Sequence, residues 1–299
     1  MSILVVGSVA YDSLETPYGS MEKALGGSAV YFTTAASLFA PVNVVGVVGD
    51  DYDFSDLDFL QERKADLSGV IRKKGDTFAW KGVYGEDPNE RETIYTRLGV
   101  FADFKPEIPE SFRKSGYVFL ANIDPDLQID VLTQVDRPKL VVLDTMNFWI
   151  ESKRESLNRV LEQTDVLIVN DSEAKQLTVE NNLFTAAGKL FDLGPKIVVI
   201  KKGEHGALLL SKTDKFFAPI YPVEKVKDPT GAGDTFAGGF MGYIGSQDKT
   251  DWDTLKKAVI YGAAAASFTV EDFSILRLKN ITAEDVNQRV GEIKKMTEF

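Results

Sequence analysis

The chain has 299 residues, of which 44% are hydrophobic, and this length allows a large buried core in one α/β domain or two smaller ones. Lys and Arg total 34 against 45 Asp and Glu, and the formal charge of −11 argues against nucleic acid or an anionic membrane as a partner. The chain has no Cys and a single His, which excludes a disulfide framework, disfavours a zinc site and leaves oxygen ligands for any metal.

The N-terminal segment reads MSILVVGSVAYD and lacks the charged start and the long apolar core of a signal peptide. No apolar run approaches the ~18 residues that a membrane span needs. We therefore expect a cytoplasmic protein.

Short apolar, β-branched runs recur along the chain and predict strands that are buried on both faces. These runs cover residues 3–7, 43–49, 117–121, 140–144, 165–170 and 196–201. Helical spacing appears between them, for example in residues 155–163 and 183–193. The alternation predicts one domain over residues 1–299, a three-layer α/β/α sandwich around a mainly parallel sheet.

Residues 70–101 break this alternation. Polar and apolar residues alternate there between Gly-Asp and Asp-Pro-Asn turns, which predicts a small antiparallel sheet with one wet face. We expect this sheet, with a contribution from residues near 10–20, to project from the body. Because its apolar face cannot stay exposed, it should either cover a substrate as a lid or pair with a second copy in a homodimer.

The last third of the chain is predicted to be helical, over residues 231–245, 254–270 and 282–296. Gly231, Ala232 and Gly233 stand at the start of the first of these helices, so several backbone N–H groups there should point at one anion. Asp234 follows in the first turn. If the anion is the γ-phosphoryl group of a nucleotide, Asp234 is placed to act as the base for an incoming hydroxyl. The plainer alternative is that Asp234 only caps a glycine-rich helix start.

The common nucleotide fingerprints are absent from the sequence. The first strand leads into VGSVAYD, which is not G-x-G-x-x-G, and no G-x-x-x-x-G-K-[ST] occurs, so dehydrogenases and P-loop enzymes are disfavoured. Four other elements follow one another in order. They are GG at 26–27, NDSE at 170–173, KGEHG at 202–206 and DPTGAGDTF at 228–236.

With these elements the sequence resembles the PfkB family of carbohydrate kinases, the ribokinase-like sugar and nucleoside kinases. DPTGAGD matches the family's D-[TP]-x-G-A-G-D signature, and VNDSEAKQLT matches its N-x-x-E element. The resemblance runs from the first strand to the alanine-rich helix after Tyr261 and implies ATP as the donor with Mg²⁺. It implies that Asp234 is the catalytic base and that the backbone of Gly231, Ala232 and Gly233 binds the transferred phosphoryl group.

The resemblance also assigns the remaining site residues. Asp12, Gly26 and Gly27 should bind the acceptor, and Asn170 and Glu173 should act on Mg²⁺ through water. Taken alone, N-x-x-E is more typical of a helix cap with a first-turn acid. Several residues should lie along the nucleotide: Lys202, Gly203 and Gly206, with the adenine near Gly262.

Two positions depart from the family pattern. Tyr31 stands where the family usually has an Asn that binds the sugar, which puts ribose itself in doubt, although Tyr31 would also fit a helix core. The loop at 268–275 lacks a glycine common in the family's monovalent-cation site, so activation by K⁺ stays open even though Asp228 is present.

The sequence thus predicts an ATP-dependent kinase that phosphorylates a hydroxyl of a sugar or sugar-like molecule. One alternative is a nucleoside kinase, in which Tyr31 and the lid residues Phe78 or Trp80 would stack on the base. An alternative of another class is a non-catalytic sugar-sensing or nucleotide-sensing protein. The sequence leaves open the acceptor, the oligomeric state and the choice between ATP and ADP as donor.

Overall fold

The computed structural model describes residues 1–298. Its strands are β1 (Ile3–Val6), β2 (Ala10–Thr16), β3 (Gly19–Gly26), β4 (Val42–Val48), β5 (Ala65–Arg72), β6 (Phe78–Tyr84), β7 (Arg91–Arg97), β8 (Tyr117–Leu120), β9 (Leu140–Asp144), β10 (Val166–Asn170), β11 (Ile197–Lys201), β12 (Ala207–Ser211) and β13 (Lys215–Ala218). Its helices are α1 (Ser28–Ala36), α2 (Asp58–Glu62), α3 (Pro125–Gln134), α4 (Asn147–Ser152), α5 (Arg154–Leu161), α6 (Asp171–Thr178), α7 (Leu183–Asp192), α8 (Ala232–Gln247), α9 (Trp252–Thr269) and α10 (Ala283–Thr297). Within residues 1–298, none of these helices has the length and apolarity that crossing a membrane requires.

Nine strands form the main sheet in the order β13-β12-β11-β10-β9-β8-β1-β4-β5. All neighbours from β5 to β11 are parallel, while β12 and β13 are antiparallel additions at one edge. The expectation of a mainly parallel sheet is confirmed. Runs such as Ile3–Val6 have no exposed residue, as strands covered on both faces require.

Helices cover both faces of this sheet, which makes three layers. Side chains alternate between two cores along each strand: Ile3 and Val5 join one core, and Leu4 and Val6 join the other. The first core is closed by α1, α8 and α9, and the second by α3, α5, α6 and α7. The predicted α/β/α sandwich is therefore present.

A separate four-stranded sheet, which we call the lid, has the order β3-β2-β6-β7. β2 pairs antiparallel with β3 and parallel with β6, and β6 pairs antiparallel with β7. The segment predicted for the lid, residues 70–101, starts inside β5, which extends the main sheet as far as Arg72 by pairing with β4. The lid strands therefore run over residues 78–97, and the N-terminal contribution extends over residues 10–26.

Candidate active site

Three polar residues end neighbouring parallel strands: Asp144 ends β9, Asn170 ends β10 and Lys201 ends β11. The carboxyl ends of parallel strands meet at one edge of the sheet, where α/β proteins commonly bind ligands. The N-terminus of α8 reaches the same edge, because a Cβ added at Gly233 would lie 2.9 Å from Lys201 Nζ. This edge is the candidate active site.

The turn into α8 provides backbone donors at this edge. Gly231 has a φ of 73°, and a Cβ there would fall 2.3 Å from the Tyr31 ring, so only glycine fits. No side chain caps the helix. The amide of Ala232 donates to the Pro229 carbonyl at 3.3 Å. The next amides, at Gly233 and in the first turn of α8, therefore lie where an anion would find donors and the positive end of the helix dipole.

Asp234 is part of this first turn, as predicted. Its Oδ1 is shielded from solvent and has no hydrogen-bond partner among residues 1–298. Burial, and then the negative charge of Asp144, raise the pKa of Asp234 to about 7, while Lys201 acts in the opposite direction. A carboxylate with this pKa is suited to accept a proton near neutral pH.

Lys201 lies among three carboxyl groups, those of Asp144, Glu173 and Asp234. Its Nζ is 3.7 Å from Asp144 Oδ1. Burial works against the charge of Lys201, but the surrounding carboxylates outweigh that effect and raise its pKa. Burial in turn raises the pKa of Asp144, although Lys201 opposes this shift. Neither Lys201 nor Asp144 was selected from the sequence, although each is the single polar residue that ends an apolar strand.

Asn170 and Glu173 form a reciprocal cap at the start of α6. Asn170 Oδ1 accepts from the Glu173 amide at 2.8 Å, and Glu173 Oε2 accepts from the Asn170 amide at 2.8 Å. The helix-cap alternative considered for this motif is thus present in the structure. Burial also raises the pKa of Glu173 to about 7, and the positive charge of Lys201 opposes that shift, so the two groups interact electrostatically.

On the lid, Asp12 is 5% exposed and its carboxyl group lies where a Cβ at Gly26 would be, 2.1 Å from that position. Gly27 has a φ of 94°, which favours glycine. Burial raises the pKa of Asp12 to about 7. Gly26 therefore leaves room for the Asp12 carboxyl group, and three of the predicted acceptor-binding residues, Asp12, Gly26 and Gly27, lie together.

The inner face of the lid carries three large side chains beside Asp12. Trp80 stands opposite Asp12 in the ladder between β2 and β6, and Arg91 lies over the Trp80 ring at 5.6 Å. Tyr84 accepts a hydrogen bond from Thr230 Oγ1 at 3.0 Å, which joins the lid to the turn before α8. The positive charge of Arg91 lowers the pKa of Asp12, although burial raises it more. No sequence signal distinguished Arg91 from other exposed lid residues.

Tyr31 lies inside the fold, not on an open pocket wall. It is 1% exposed, and its ring packs against Gly231. Its hydroxyl has no partner within the described part of the chain, and burial raises its pKa well above the usual value. Through this contact Tyr31 supports the turn that carries Asp234, and it has the core position that the sequence allowed as an alternative.

The residues predicted to lie along the nucleotide divide into two groups. Lys202, Gly203 and Gly206 follow β11 directly, and both glycines have positive φ values of 54° and 86°. Gly262 is instead buried between α8 and α9, where a Cβ would lie 2.7 Å from the Phe236 carbonyl oxygen. The structure therefore gives Gly262 a role in close helix packing, and its predicted place near the adenine stays a prediction.

Asp228 is fully buried and ties two loops together. Its Oδ1 accepts from the Thr230 amide at 2.9 Å, and its Oδ2 accepts from the Ser274 amide at 2.8 Å. Across residues 1–298, no group of three or more His, Cys, Asp or Glu is arranged to hold a metal. The carboxyl groups of Asp144, at the end of β9, and Glu173, in the first turn of α6, fit a magnesium ion that keeps its waters and binds mainly to phosphate oxygens.

Comparison with known proteins gives a consistent picture. Residues 2–276 match the model of the pfkB family of carbohydrate kinases. A cytidine kinase from Thermococcus kodakarensis is 31% identical over 248 residues, which cover 81% of this chain and 87% of that protein.

Solved structures share the fold at lower identity. A nucleoside kinase from Methanocaldococcus jannaschii, an archaeal member of the ribokinase family, superposes with a TM-score of 0.77 at 22% identity and covers 97% of this chain and 98% of that one. An aminoimidazole riboside kinase from Salmonella enterica, solved with aminoimidazole riboside and an ATP analogue, gives a TM-score of 0.75 at 18% identity. It covers 97% of this chain and 100% of that one.

Proposed function

Because the chain belongs to the pfkB family of carbohydrate kinases, we propose that it transfers the γ-phosphoryl group of ATP to a hydroxyl of a nucleoside. Family membership makes the protein a kinase of a sugar or sugar-like acceptor. The nucleoside is the narrower part of the proposal. The relative from Thermococcus kodakarensis, a cytidine kinase, supports it over most of the chain length.

The observation that carries this proposal is the pairing of Asp12 with Trp80 on the inner face of the lid. A carboxylate suits the hydroxyls of a sugar ring, and a half-buried indole beside it suits the flat face of a base. Simple sugars offer hydroxyls to Asp12 but no aromatic plane to Trp80. A nucleoside uses both side chains at once.

The reaction follows from the positions of the site residues. The acceptor hydroxyl, held by Asp12, gives its proton to Asp234 while its oxygen attacks the γ-phosphorus. The bond from that phosphorus to the β–γ bridging oxygen breaks, which leaves ADP and a phosphorylated acceptor. Backbone amides at the start of α8 neutralise charge on the transferred group, and the loop at 202–206 lies beside the nucleotide.

Magnesium, when bound, draws electron density from the β- and γ-phosphate oxygens and so favours transfer. Asn170 and Glu173 are the residues that would hold it through water, because their strand end faces the buried carboxyl cluster. Their mutual cap fixes the orientation of Glu173 before any ion arrives.

A panel assay tests the proposed acceptor. Purified protein with ATP and magnesium should release ADP faster with at least one nucleoside than with ribose or any hexose, and mass spectrometry should find the nucleoside monophosphate. Trp80→Leu should raise KM for the nucleoside at least ~10-fold. Trp252→Leu, which removes an indole from the start of α9, is the matched control. Phosphorylation of plain sugars alone would refute the nucleoside as acceptor.

Two narrower expectations concern K⁺ and the lid edge. Asp228 already accepts two backbone hydrogen bonds, so we propose that kcat stays nearly the same when K⁺ replaces choline in the assay. β7 is one of the two edge strands of the lid, and Ile94 on it is 49% exposed. We propose that a second copy pairs there, and light scattering of the wild type and of Ile94→Lys checks this.

A further inference from the structure

Lys201 is a charged residue whose surroundings are not explained by packing alone. Its side chain is 20% exposed at the end of β11, and the ammonium has three N–H donors to satisfy. The carboxylate oxygen of Asp144 lies 3.7 Å away, which is beyond normal hydrogen-bond range. A lysine whose side chain is mostly buried and whose ammonium has no close protein acceptor depends on water or a ligand for its hydrogen bonds.

The other end of the same strand shows how this chain satisfies a lysine that has only a structural role. Lys196, just before β11, is 2.7 Å from Asp165 Oδ1 and is 78% exposed. There the partner is close although water is available. Lys201 has the reverse arrangement, with little water and a distant partner, so its acceptor is expected to arrive with a ligand.

The ligand must bind where Lys201 and the turn before α8 meet. A Cβ at Gly233 would lie 2.9 Å from the ammonium, so the first turn of α8 and the Lys201 donors are neighbours. Asp234, the next residue, has an Oδ1 that is buried and without a hydrogen-bond partner among residues 1–298. An anion there meets an ammonium and helix N-terminal amides together.

We propose that Lys201 is a catalytic residue that donates hydrogen bonds to the γ-phosphoryl group of ATP and stays bonded to it during transfer. This inference rests on the proposed phosphoryl-transfer function. As the bond from phosphorus to the bridging oxygen breaks, negative charge on the transferred oxygens is met by a fixed cation. Before ATP binds, Asp144 keeps the ammonium in place from 3.7 Å.

The competing explanation is that Lys201 only neutralises the buried carboxyl groups of Asp144, Glu173 and Asp234. The two explanations differ in what a charge-balanced double variant recovers. Lys201→Met combined with Asp144→Asn removes one positive and one negative charge and leaves the side-chain volumes nearly unchanged. If Lys201 has only a structural role, this double variant restores both stability and nucleotide binding.

Isothermal titration calorimetry can distinguish the two explanations without measuring catalysis. The affinities for ATP and for ADP are measured with magnesium and without acceptor. We expect Lys201→Met to weaken ATP binding at least ~10-fold and ADP binding less than ~3-fold, because only ATP has the γ-phosphoryl group. The double variant should recover the wild-type melting temperature but not the ATP affinity. Lys196→Met, which loses an ion pair at the far end of the same strand, should bind both nucleotides as the wild type does.

Equal weakening of ATP and ADP, or recovery of ATP affinity in the double variant, would overturn the assignment. If Lys201→Met fails to fold, the double variant alone decides, because its ratio of ATP to ADP affinity is still measurable. Failure of the nucleoside panel would refute the acceptor and leave this ratio unaffected, so the two proposals fail separately.

Discussion

Two buried charged clusters lie in different regions of this protein and are built in opposite ways. The first, which we call the site cluster, comprises Asp144, Glu173, Lys201 and Asp234 at the edge of the main sheet. The second, which we call the C-terminal cluster, comprises Ser267, Glu271 and Arg289 between α9 and α10. Both place charges out of water, yet only one of them satisfies its charges from within the chain.

In the C-terminal cluster, Arg289 is 9% exposed and each of its terminal nitrogens has a partner. Nη1 donates to Ser267 Oγ at 2.7 Å, and Nη2 donates to Glu271 Oε1 at 2.5 Å. The guanidinium also lies 3.4 Å from the centre of the Phe268 ring. A buried charge paired in this way stabilises the fold, and removing one partner is costly.

In the site cluster the pairing is incomplete. The Lys201 ammonium is 3.7 Å from its nearest carboxylate, and Asp234 Oδ1 has no partner within residues 1–298. The pKa of Asp234 and that of Glu173 both rise to about 7 because burial disfavours their charged forms. This chain therefore satisfies the buried charge of Arg289 internally, whereas Asp234 and Lys201 are left without close partners, as the proposed binding of a ligand there requires.

Asp234→Asn has the largest expected effect and tests whether the unpaired carboxyl group of the site cluster serves catalysis rather than stability. The amide is nearly isosteric with the carboxylate but cannot accept the proton, so kcat should fall at least ~10². The melting temperature should stay equal or rise, because a buried group that resists ionisation has been removed. Activity and thermal unfolding measured on one preparation check both parts. Asp253→Asn, on the exposed side of α9, is the control, and near-normal turnover in Asp234→Asn would remove the base assignment.

Arg289→Met tests the C-terminal cluster. We expect the free energy of unfolding to fall by about 2 kcal/mol, less than for a fully buried pair, because the side chain of Glu271 keeps 27% exposure. The kcat of the folded fraction should not change. Urea unfolding measures the loss, with the exposed Lys294→Met as control. A variant as stable as the wild type would show that the C-terminal cluster does not stabilise the fold.

Glu173→Gln has the smallest expected effect. Gln also serves at the third position of a capping box, so α6 should keep its start, while one negative charge near the proposed magnesium is lost. The magnesium concentration for half-maximal activity should rise several-fold, with the melting temperature within a degree or two of the wild type. Asp171→Asn, in the same first helical turn, is the control. Overlaid magnesium titrations would leave the motif with its capping role alone.

Much of the fold followed from local patterns. Each predicted buried run forms a strand of the main sheet within one or two residues, because apolar runs buried on both faces have few other solutions. The lid was harder to delimit. β5 is an edge strand of the main sheet, and its buried and exposed residues alternate, as the sequence predicts for the lid strands. No boundary between β5 and the lid is therefore visible in the sequence.

Site residues that belong to one continuous motif could be predicted from the sequence. Site residues that the fold brings together from distant segments could not. Asp234 and the preceding glycines are contiguous, and the sequence predicted them together. Asp144, Lys201 and Arg91 come from three distant segments, and only strand order and the lid bring them to one place. Polar residues that end apolar strands were the available signal for the first two.

Asp234 is buried and unpaired, and this environment should make it titrate near neutral pH. A carbon-13 NMR titration of protein labelled at aspartate side-chain carboxyls measures this directly, and Asp234→Asn identifies the resonance by its loss. We predict that this resonance titrates with a pKa of about 7, as burial and Asp144 outweigh Lys201. A pKa near the ordinary value of about 4 would show that Asp234 is solvated or paired, and it would contradict the account.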